Sequence, residues 1–348
     1  MRALAWLIVL LLVAPQGLGA PPSFPGALAD YRAWVMAELP GAPEGLTVDT
    51  DGRIYATVPK LGAVVRLDEH GGYQPIATVP SAALARAGRI FGLEADRRGN
   101  LYVTYVWNYS EDDEADPGHA HCRDARDRQT GVYRVEIATG RVTEVLTRAS
   151  GWPGCFPDDV AVDSQGNLYV TDLTLSGIWK VSPDGRYVLW SAHPLLLWPP
   201  APYYVLPEGA NDLVLDAAER NLYVATDGDP AILRIPIAAD GSAGTPVVVA
   251  RDLSPLDGIE LDELGNIYVS EILRNEISVF SPDGSQRIVI ATAATAPLVN
   301  PTSLVYRRGM LCAANMGWDV TPEPRTVTCV SGYRRPAPPV GAAPHPGR

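Results

Sequence analysis

The segment Gly258-Ile-Glu-Leu-Asp262, followed after a short turn by Asn266-Ile-Tyr-Val-Ser270, decides the fold because versions of it recur along the 348-residue chain. Each copy begins with a small or acidic residue, continues with alternating apolar side chains, and leads through a turn into a second apolar strand. The six copies of the first strand are Gly45–Asp49, Gly92–Asp96, Asp159–Asp163, Asp212–Asp216, Gly258–Asp262 and the degenerate Ser303–Arg307. A repeat of about 45 to 50 residues with four short strands per unit is typical of β-propellers. The sequence therefore predicts an all-β fold, a six-bladed β-propeller.

Turn signals divide each repeat into strands. In the third repeat the last two strands would flank Ser182-Pro-Asp-Gly185, and the fifth repeat has the equivalent Ser281-Pro-Asp-Gly284. Proline presets its own φ and glycine accepts a positive φ, so this tetrapeptide indicates a turn. The strands predicted for the third repeat are Val160–Val162, Leu168–Thr171, Gly177–Val181 and Arg186–Trp190.

The sixth repeat contains only three clear strands, at Leu304–Tyr306, Met310–Ala314 and Thr326–Val330. A fourth strand has to come from elsewhere in the chain. Tyr31–Met36, which precedes the first blade, is the candidate. Because exposed sheet edges promote aggregation, we expect this segment to close the ring of blades.

One residue directly precedes each copy of the repeat and so occupies the same place in every blade. These residues are Glu44, Phe91, Asp158, Asn211, Asp257 and Thr302. Equivalent positions of a propeller surround its central channel, so four oxygen-bearing side chains (Glu44, Asp158, Asn211 and Asp257) should converge on one mouth. Carboxylate and amide oxygens around a wet channel suit a hard cation. Without a cation the carboxylates would repel one another and raise a pKa.

Two long connections should cover this ring. The six positions are separated by 47, 67, 53, 46 and 45 residues, and the excess falls at Val106–Thr130 and Ala192–Ala210. Loops of this length without their own secondary structure are usually functional or disordered. The second is aromatic and rich in proline, so we interpret Trp198, Tyr203 and Tyr204 as a hydrophobic lip for a ligand; the alternative is that they plug the channel. The other predicted substrate contacts are Trp107, in the first connection, and the ring residues Phe91 and Thr302.

The N-terminal sequence and the net charge indicate the location of the protein and the partners it lacks. Met1–Ala20 has one basic residue, an apolar run and a small-residue end, which is the pattern of a secretory signal peptide. We therefore expect a secreted or periplasmic protein, with an uncleaved membrane anchor as the alternative. Residues 21–334 would form the propeller and residues 335–348 a disordered, proline-rich tail. The formal net charge of −12 argues against nucleic acid and anionic membranes as partners, so we expect a monomer with a small-molecule substrate.

Four cysteines in an exported chain predict two disulfides. Three pairings are possible. Cys312 replaces the tyrosine of the second strand in the sixth repeat, and Cys329 lies in the neighbouring third strand, so the topology favours a bond between them. Cys122 and Cys155 then pair by default.

The motifs resemble those of the senescence-marker-protein/gluconolactonase (regucalcin-like) family of six-bladed propellers, over residues 40 to 334. The matching segments are Pro43-Glu44-Gly45, Ala210-Asn211-Asp212-Leu213, Leu256-Asp257-Gly258-Ile259 and Pro301-Thr302-Ser303. Related strictosidine-synthase-like and NHL propellers share the Asp-Gly-x-Gly-Asn-Leu/Ile-Tyr-Val pattern of the turn and second strand. The resemblance implies that Glu44, Asn211 and Asp257 bind one divalent cation, usually calcium, and that Asp257 assists proton transfer.

The sequence also departs from that family. Phe156-Pro157-Asp158-Asp159 stands where the family has Asn-Asp-Gly, and Gly45-Leu-Thr-Val replaces its Gly-Pro-x-Trp. With fewer polar ligands and an aromatic lip, a less polar lactone or ester is a better substrate than a sugar lactone.

A metal-dependent lactone or ester hydrolase is the function that these motifs favour. The cation would polarise the carbonyl, and Asp257 or Asp158 would orient the attacking water. The sequence contains no Gly-x-Ser-x-Gly elbow for a serine nucleophile. The alternative is a non-catalytic propeller of the NHL type that binds a ligand or protein through the same face, because fold alone does not separate the two.

Overall fold

Six four-stranded antiparallel sheets make up the fold, in a computed structural model that describes residues 31–68, 70–79, 88–107, 124, 126–197, 209–317 and 320–332. Five of the sheets are continuous in sequence, and the sixth combines the N-terminal strand with the last three strands. The predicted six-bladed propeller is confirmed. The predicted signal peptide and the tail at residues 335–348 lie outside the described residues.

The strands follow the predicted repeats. Strand β1 is Tyr31–Glu38. Blade one contains β2 (Leu46–Val48), β3 (Ile54–Val58), β4 (Ala63–Leu67) and β5 (Tyr73–Thr78). Blade two contains β6 (Arg89–Ala95), β7 (Asn100–Val106), β8 (Gly131–Glu136) and β9 (Arg141–Thr147). Blade three contains β10 (Pro157–Val162), β11 (Leu168–Asp172), β12 (Gly177–Val181) and β13 (Tyr187–Ser191).

The remaining blades repeat the pattern. Blade four contains β14 (Ala210–Leu215), β15 (Asn221–Thr226), β16 (Ala231–Pro236) and β17 (Val247–Ala250). Blade five contains β18 (Leu256–Leu261), β19 (Ile267–Glu271), β20 (Glu276–Phe280) and β21 (Arg287–Thr292). Blade six contains β22 (Pro301–Arg307), β23 (Met310–Asn315), β24 (Thr326–Gly332) and β1. Short 3-10 turns occur at Pro59–Leu61, Arg148–Ser150 and Pro194–Leu196.

The N-terminal strand closes the ring as predicted. Strand β1 pairs antiparallel with β24, from Tyr31 opposite Gly332 to Glu38 opposite Thr326. Blade six therefore joins the N-terminal strand of the described chain to its last strand, and no detached helix forms there.

The hydrophobic core lies between the blades rather than within one of them. The second strand of a blade carries the Leu-Tyr-Val pattern, and successive side chains of a strand point to opposite faces. In blade three Tyr169 packs into a buried cluster with blade four, whereas Leu168 and Val170 pack into the cluster with blade two. One strand therefore contributes side chains to the interfaces with both neighbouring blades. The recurring aromatic residue fills one of these two interfaces.

An aspartate ends five of the six repeat copies and closes the turn that follows. Asp163 Oδ1 accepts hydrogen bonds from the backbone N–H groups of Gln165 (3.0 Å) and Asn167 (2.8 Å), and its Oδ2 accepts one from the Asn167 amide (2.7 Å). Asp96, Asp216 and Asp262 make the same contact with the asparagine that begins the second strand. This explains the recurring aspartate and asparagine as structural residues.

The predicted disulfide between Cys312 and Cys329 is confirmed. The two residues are directly opposite in β23 and β24, and their Cα atoms are 4.0 Å apart. Cys155 is also half of a disulfide. Its predicted partner, Cys122, lies outside the described residues. No helix within the described ranges has the length and apolar character needed to cross a bilayer.

Candidate functional site at the channel mouth

A β-bulge presents the ring residues to the channel. In five of the six blades the pairing of the first and second strands shifts register at the ring position, for example between Pro157 and Val160 in blade three. A bulge sets two residues against one and re-aims their side chains, and bulges are common beside active sites. In blade three it allows both Asp158 and Asp159 to act on the pKa of Glu44 across the channel.

Hydrogen bonds bridge every junction between neighbouring blades at the level of the ring. Second-strand hydroxyls, first-strand carboxylates and Thr302 supply the side-chain groups. In blade order the pairs are Thr57 Oγ1 to Phe91 O (2.8 Å), Thr104 Oγ1 to Asp158 O (2.6 Å), Leu213 N to Asp159 Oδ2 (3.3 Å), Ile259 N to Asp212 Oδ2 (3.1 Å), Ser270 Oγ to Thr302 O (2.8 Å) and Thr302 Oγ1 to Glu44 O (2.9 Å). The ring is thus held at a fixed diameter by its own side chains.

The loops that lead into three blades are anchored by the last residue of the second strand. Asp172 accepts hydrogen bonds from the backbone of Cys155 (2.9 Å) and Phe156 (3.1 Å), just before Asp158. Glu271 accepts one from the backbone of Ser254 (3.2 Å), and Asn315 accepts one from the backbone of Val299 (3.0 Å). These buried polar residues orient the site and do not line it.

The carboxylates of the ring have raised pKa values. Burial raises the pKa of Glu44 well above its ordinary value, and Asp158 and Asp257 raise it further. Burial and then Asp158 likewise raise the pKa of Asp257, and burial is the largest cause of the raised pKa of Asp158. Like charges held close together in a site of low dielectric disfavour the ionised forms. Asp158 and Asp257 thus act on the pKa of Glu44, and Asp158 acts on that of Asp257; the convergence of the three on one mouth stays a prediction.

Two buried oxygen atoms of the ring have no hydrogen-bond donor. They are Glu44 Oε2 and Asn211 Oδ1, on residues that are 5% and 4% exposed. Buried acceptors are normally satisfied, so each unsatisfied one requires an explanation, such as an ion. Carboxylate and amide oxygens are the ligands that calcium prefers. The residues present therefore fit a hard divalent cation. No group of three or more His, Cys, Asp or Glu in the described ranges is arranged to hold a metal ion, so a cation at the ring would need the amide oxygen of Asn211 as well as carboxylates.

Asp227 is a ring neighbour that the sequence analysis missed. It directly follows β15, it is 8% exposed, and its Oδ2 accepts a hydrogen bond from Asn211 Nδ2 at 2.9 Å. It also raises the pKa of Asp158 and of Asp257, although less than burial does. The equivalent positions of the other blades are Pro59, Val106, Leu173, Ile272 and Met316. An acidic residue at a position that is otherwise apolar or proline was the available signal.

The other predicted substrate contacts differ in burial and in the residues that they touch. Phe91 is 4% exposed and contacts the Phe156 ring, with centroids 5.1 Å apart. Thr302 is fully buried and donates its hydroxyl hydrogen to the Glu44 carbonyl. Trp107 is half-buried and packs against the core between blades one and two. Trp198, Tyr203 and Tyr204 lie outside the described residues, so the aromatic lip remains a prediction.

A cavity of about 310 Å³ lies at the opposite end of the channel. It is lined by the later residues of the inner strands and by the turns that follow them, and none of the six ring residues contributes to it. Glu94 and Glu260 are its half-buried acidic residues from the third position of the repeat. The ring and this cavity are therefore separate features of one channel.

Comparisons with known proteins find a matching family and similar propeller proteins. A family model described as the SMP-30/Gluconolactonase/LRE-like region matches residues 125–306, just over half of the chain. The 6-phosphogluconolactonase of Pectobacterium atrosepticum is 26% identical over 196 residues, covering 45% of this chain and 59% of that protein. The chain thus spans less than two thirds of the length of this relative.

Solved structures share the fold at low sequence identity. A gluconolactonase from Xanthomonas campestris superimposes with a TM-score of 0.61 at 14% identity, covering 88% of this chain and 91% of that one. The PQQ-bound aldose sugar dehydrogenase from Streptomyces coelicolor gives a TM-score of 0.59, also at 14% identity, with 90% and 99% covered. Because these two proteins have different activities, the structural likeness carries the fold alone.

Proposed function

The chain belongs to the SMP-30/gluconolactonase/LRE-like family, and from this premise we propose that it is a metal-dependent hydrolase of a lactone or ester that acts at the channel mouth. The observation that carries the proposal is the pair of buried, unsatisfied oxygens, Glu44 Oε2 and Asn211 Oδ1, beside the carboxylates of Asp158 and Asp257. The relatives named as gluconolactonases support the reaction class.

Glu44, Asn211 and Asp257 would hold a divalent cation, with calcium the best match to their oxygen ligands. Such a cation supplies Lewis acidity that polarises a carbonyl, and it offsets the negative charge of the ring. Asn211 contributes a neutral oxygen, and Glu44 contributes a carboxylate held by the wall of the channel.

The acidic residues of the ring would transfer the proton during hydrolysis. Asp257 is partly exposed whereas Asp158 is buried, so Asp257 is the better placed to meet water from the mouth. It would orient a water molecule, take a proton as the water oxygen bonds to the carbonyl carbon, and return a proton to the leaving oxygen when the ring C–O bond breaks. Asp158, on blade three, would assist in orienting the water.

The apolar residues next to the ring, between blades two and three, suit a substrate that is less polar than a sugar lactone. Phe91, Val106, Phe156 and Leu173 form a buried apolar cluster between blades two and three. Asp158 stands in this region in place of the family's asparagine. Both features support an alkyl- or aryl-substituted lactone or ester.

Export to the periplasm or the medium completes the proposal. Disulfides persist in oxidising compartments and are rare in the reducing cytosol. The buried Cys312–Cys329 bond supports this location together with the N-terminal sequence pattern.

The test compares the full chain with Asp257→Ala. We expect the wild type to bind terbium or calcium, to melt at a higher temperature when calcium is added, and to hydrolyse members of a panel of lactones and aryl esters. Asp257→Ala should lose cation binding and turnover but remain folded, because the residue lines the channel. Asp51→Ala, an exposed acid in a turn after β2, is the matched control and should behave as wild type. A wild-type protein that binds no cation and hydrolyses nothing in the panel would favour the non-catalytic binding propeller.

A further inference from the structure

We infer that Asp227 is a positioning residue that directs the amide oxygen of Asn211 into the channel and adds negative charge beside the cation site. The inference rests on the proposed function, because it assigns a role within the same ring. It concerns a residue that none of the repeat motifs includes.

The hydrogen bond between the two side chains determines which way the amide points. An ionised carboxylate only accepts hydrogen bonds, so it selects the NH₂ end of an asparagine. Asn211 Nδ2 donates to Asp227 Oδ2 at 2.9 Å, and Oδ1 is left buried without a donor. If the amide were reversed, its oxygen would face the carboxylate and its NH₂ group would point toward the cation. Asp227 therefore makes Asn211 a ligand rather than a donor at the ring.

The backbone holds Asp227 in place independently of its side chain. Asp227 N donates to Gly209 O at 3.1 Å, which ties the end of β15 to the loop before β14. Asn211 lies at the bulge of that β14–β15 pair, where the register shifts between Ala210 and Leu213. The hydrogen bond between Asn211 and Asp227 thus joins two segments of blade four whose backbones are already held in place.

The fold does not need an acid at this position. The equivalent residues of blades two, three and five are Val106, Leu173 and Ile272. Val106 and Leu173 are buried in an apolar cluster. Burying a carboxylate costs free energy unless a partner compensates for it, so an acid here is consistent with a use in the site.

A test separates this role from a merely structural one. Asp227→Asn keeps the size of the side chain but removes the charge and no longer selects the NH₂ end of Asn211. We expect terbium and calcium affinity, measured by luminescence and calorimetry, to fall by about 10- to 100-fold, the range seen when a partner of a metal ligand is removed. The melting temperature without added cation should not fall. Asp229→Asn, an exposed acid two residues away that pairs with Arg251, is the matched control and should bind as tightly as wild type.

The double variant N211D/D227N provides the rescue. It exchanges the two groups, so that one amide–carboxylate hydrogen bond is restored with a carboxylate on the ring side. We expect it to bind cation more tightly than D227N alone. If D227N fails to fold, the double variant compared with N211D alone measures the same effect.

Three results would overturn the inference, and they are distinguishable from one another. A wild-type protein that binds no cation overturns it together with the proposed function. A wild type that binds cation while D227N binds within threefold of it overturns the positioning role alone. A loss of affinity in D227N that is matched by an equal loss in Asp229→Asn also counts against it.

Discussion

Glu94 and Glu260 are acidic side chains that the proposed reaction does not use. They line the cavity at the far end of the channel, in the repeat position that holds Thr47, Ala161, Val214 and Val305 in the other blades. Burial raises the pKa of Glu94 to about 8, although a hydrogen bond from Thr47 Oγ1 (2.8 Å) opposes the rise. Burial also raises the pKa of Glu260 to about 7, against the lowering effect of backbone donors at Leu261 and Tyr306. At neutral pH the protonated form of Glu94 is therefore favoured, whereas Glu260 is divided about equally between its two forms.

These shifts predict how stability depends on pH. The pKa of Glu94 in the folded state lies above its ordinary value of 4.5, so the folded protein binds more protons than the unfolded chain between those values. Its contribution to stability is complete below pH 4.5 and is lost as the pH rises through about 8. Glu94→Gln should flatten the decline of the melting temperature from pH 6 to pH 9 and melt above wild type at the alkaline end. Glu144→Gln, in β9, is the control, and parallel profiles for wild type and Glu94→Gln would contradict the assignment.

At the scale of the strand, the second strands of blades one, two and five each bond to the first strand of the next blade through a hydroxyl. Thr57, Thr104, Thr171 and Ser270 hold the same position. Thr57 and Ser270 each accept a hydrogen bond from the backbone N–H of the glycine after the ring residue of their own blade, and each donates to the carbonyl of the ring residue of the next blade. Blade four has Ala225 there, and the carboxylates of Asp159 and Asp212 bridge the junctions on either side of it. Where the hydroxyl is present, it therefore links the first strand of its own blade to the first strand of the next.

Removal of one hydroxyl should weaken the ring without changing the shape of the core. Thr104→Val leaves the buried carbonyl of Asp158 without its 2.6 Å donor. The expected loss is about 1–3 kcal/mol of unfolding free energy, the cost of an unsatisfied buried group. Denaturant unfolding would measure it, with Thr78→Val, at the exposed end of β5, as the control for the exchange of threonine for valine. Equal stability of the two variants would show that the bridge contributes little.

At the scale of the whole molecule, the ring of blades depends on one junction between distant parts of the chain. Strand β1 completes blade six, and the Cys312–Cys329 bond crosses the two strands beside it. Met36 of β1 packs on this disulfide, with its Sδ 3.2 Å from Cys329 Sγ and 3.9 Å from Cys312 Sγ. The same cluster continues into blade one through Leu46 and Ile54. Closure of the propeller is thus concentrated around one buried group of sulfur atoms.

Loss of this disulfide should lower the stability of the entire propeller. The bond joins residues separated by 17 positions, and closing a loop of that length contributes about 3 kcal/mol by restricting the unfolded chain. The double variant C312A/C329A should therefore unfold at lower denaturant concentration, with cation binding at the ring preserved in the folded state. A double variant as stable as wild type would show that packing around Met36, rather than the covalent bond, holds the closure.

The sequence by itself determined the blade count, the six ring positions, the closing strand and the Cys312–Cys329 pair, because each follows from a pattern that is local or repeats at a constant interval. Tertiary structure alone decided how the blades bond to one another. Thr302 donates to the carbonyl of Glu44, 258 positions away, and such a contact has no periodic trace in the sequence. Asp227 does break the apolar pattern of its position in the sequence, but its contact with Asn211, on another strand of the blade, is visible only in the structure. Periodicity reports which face a side chain points to, whereas only the packed ring establishes which groups meet across the channel.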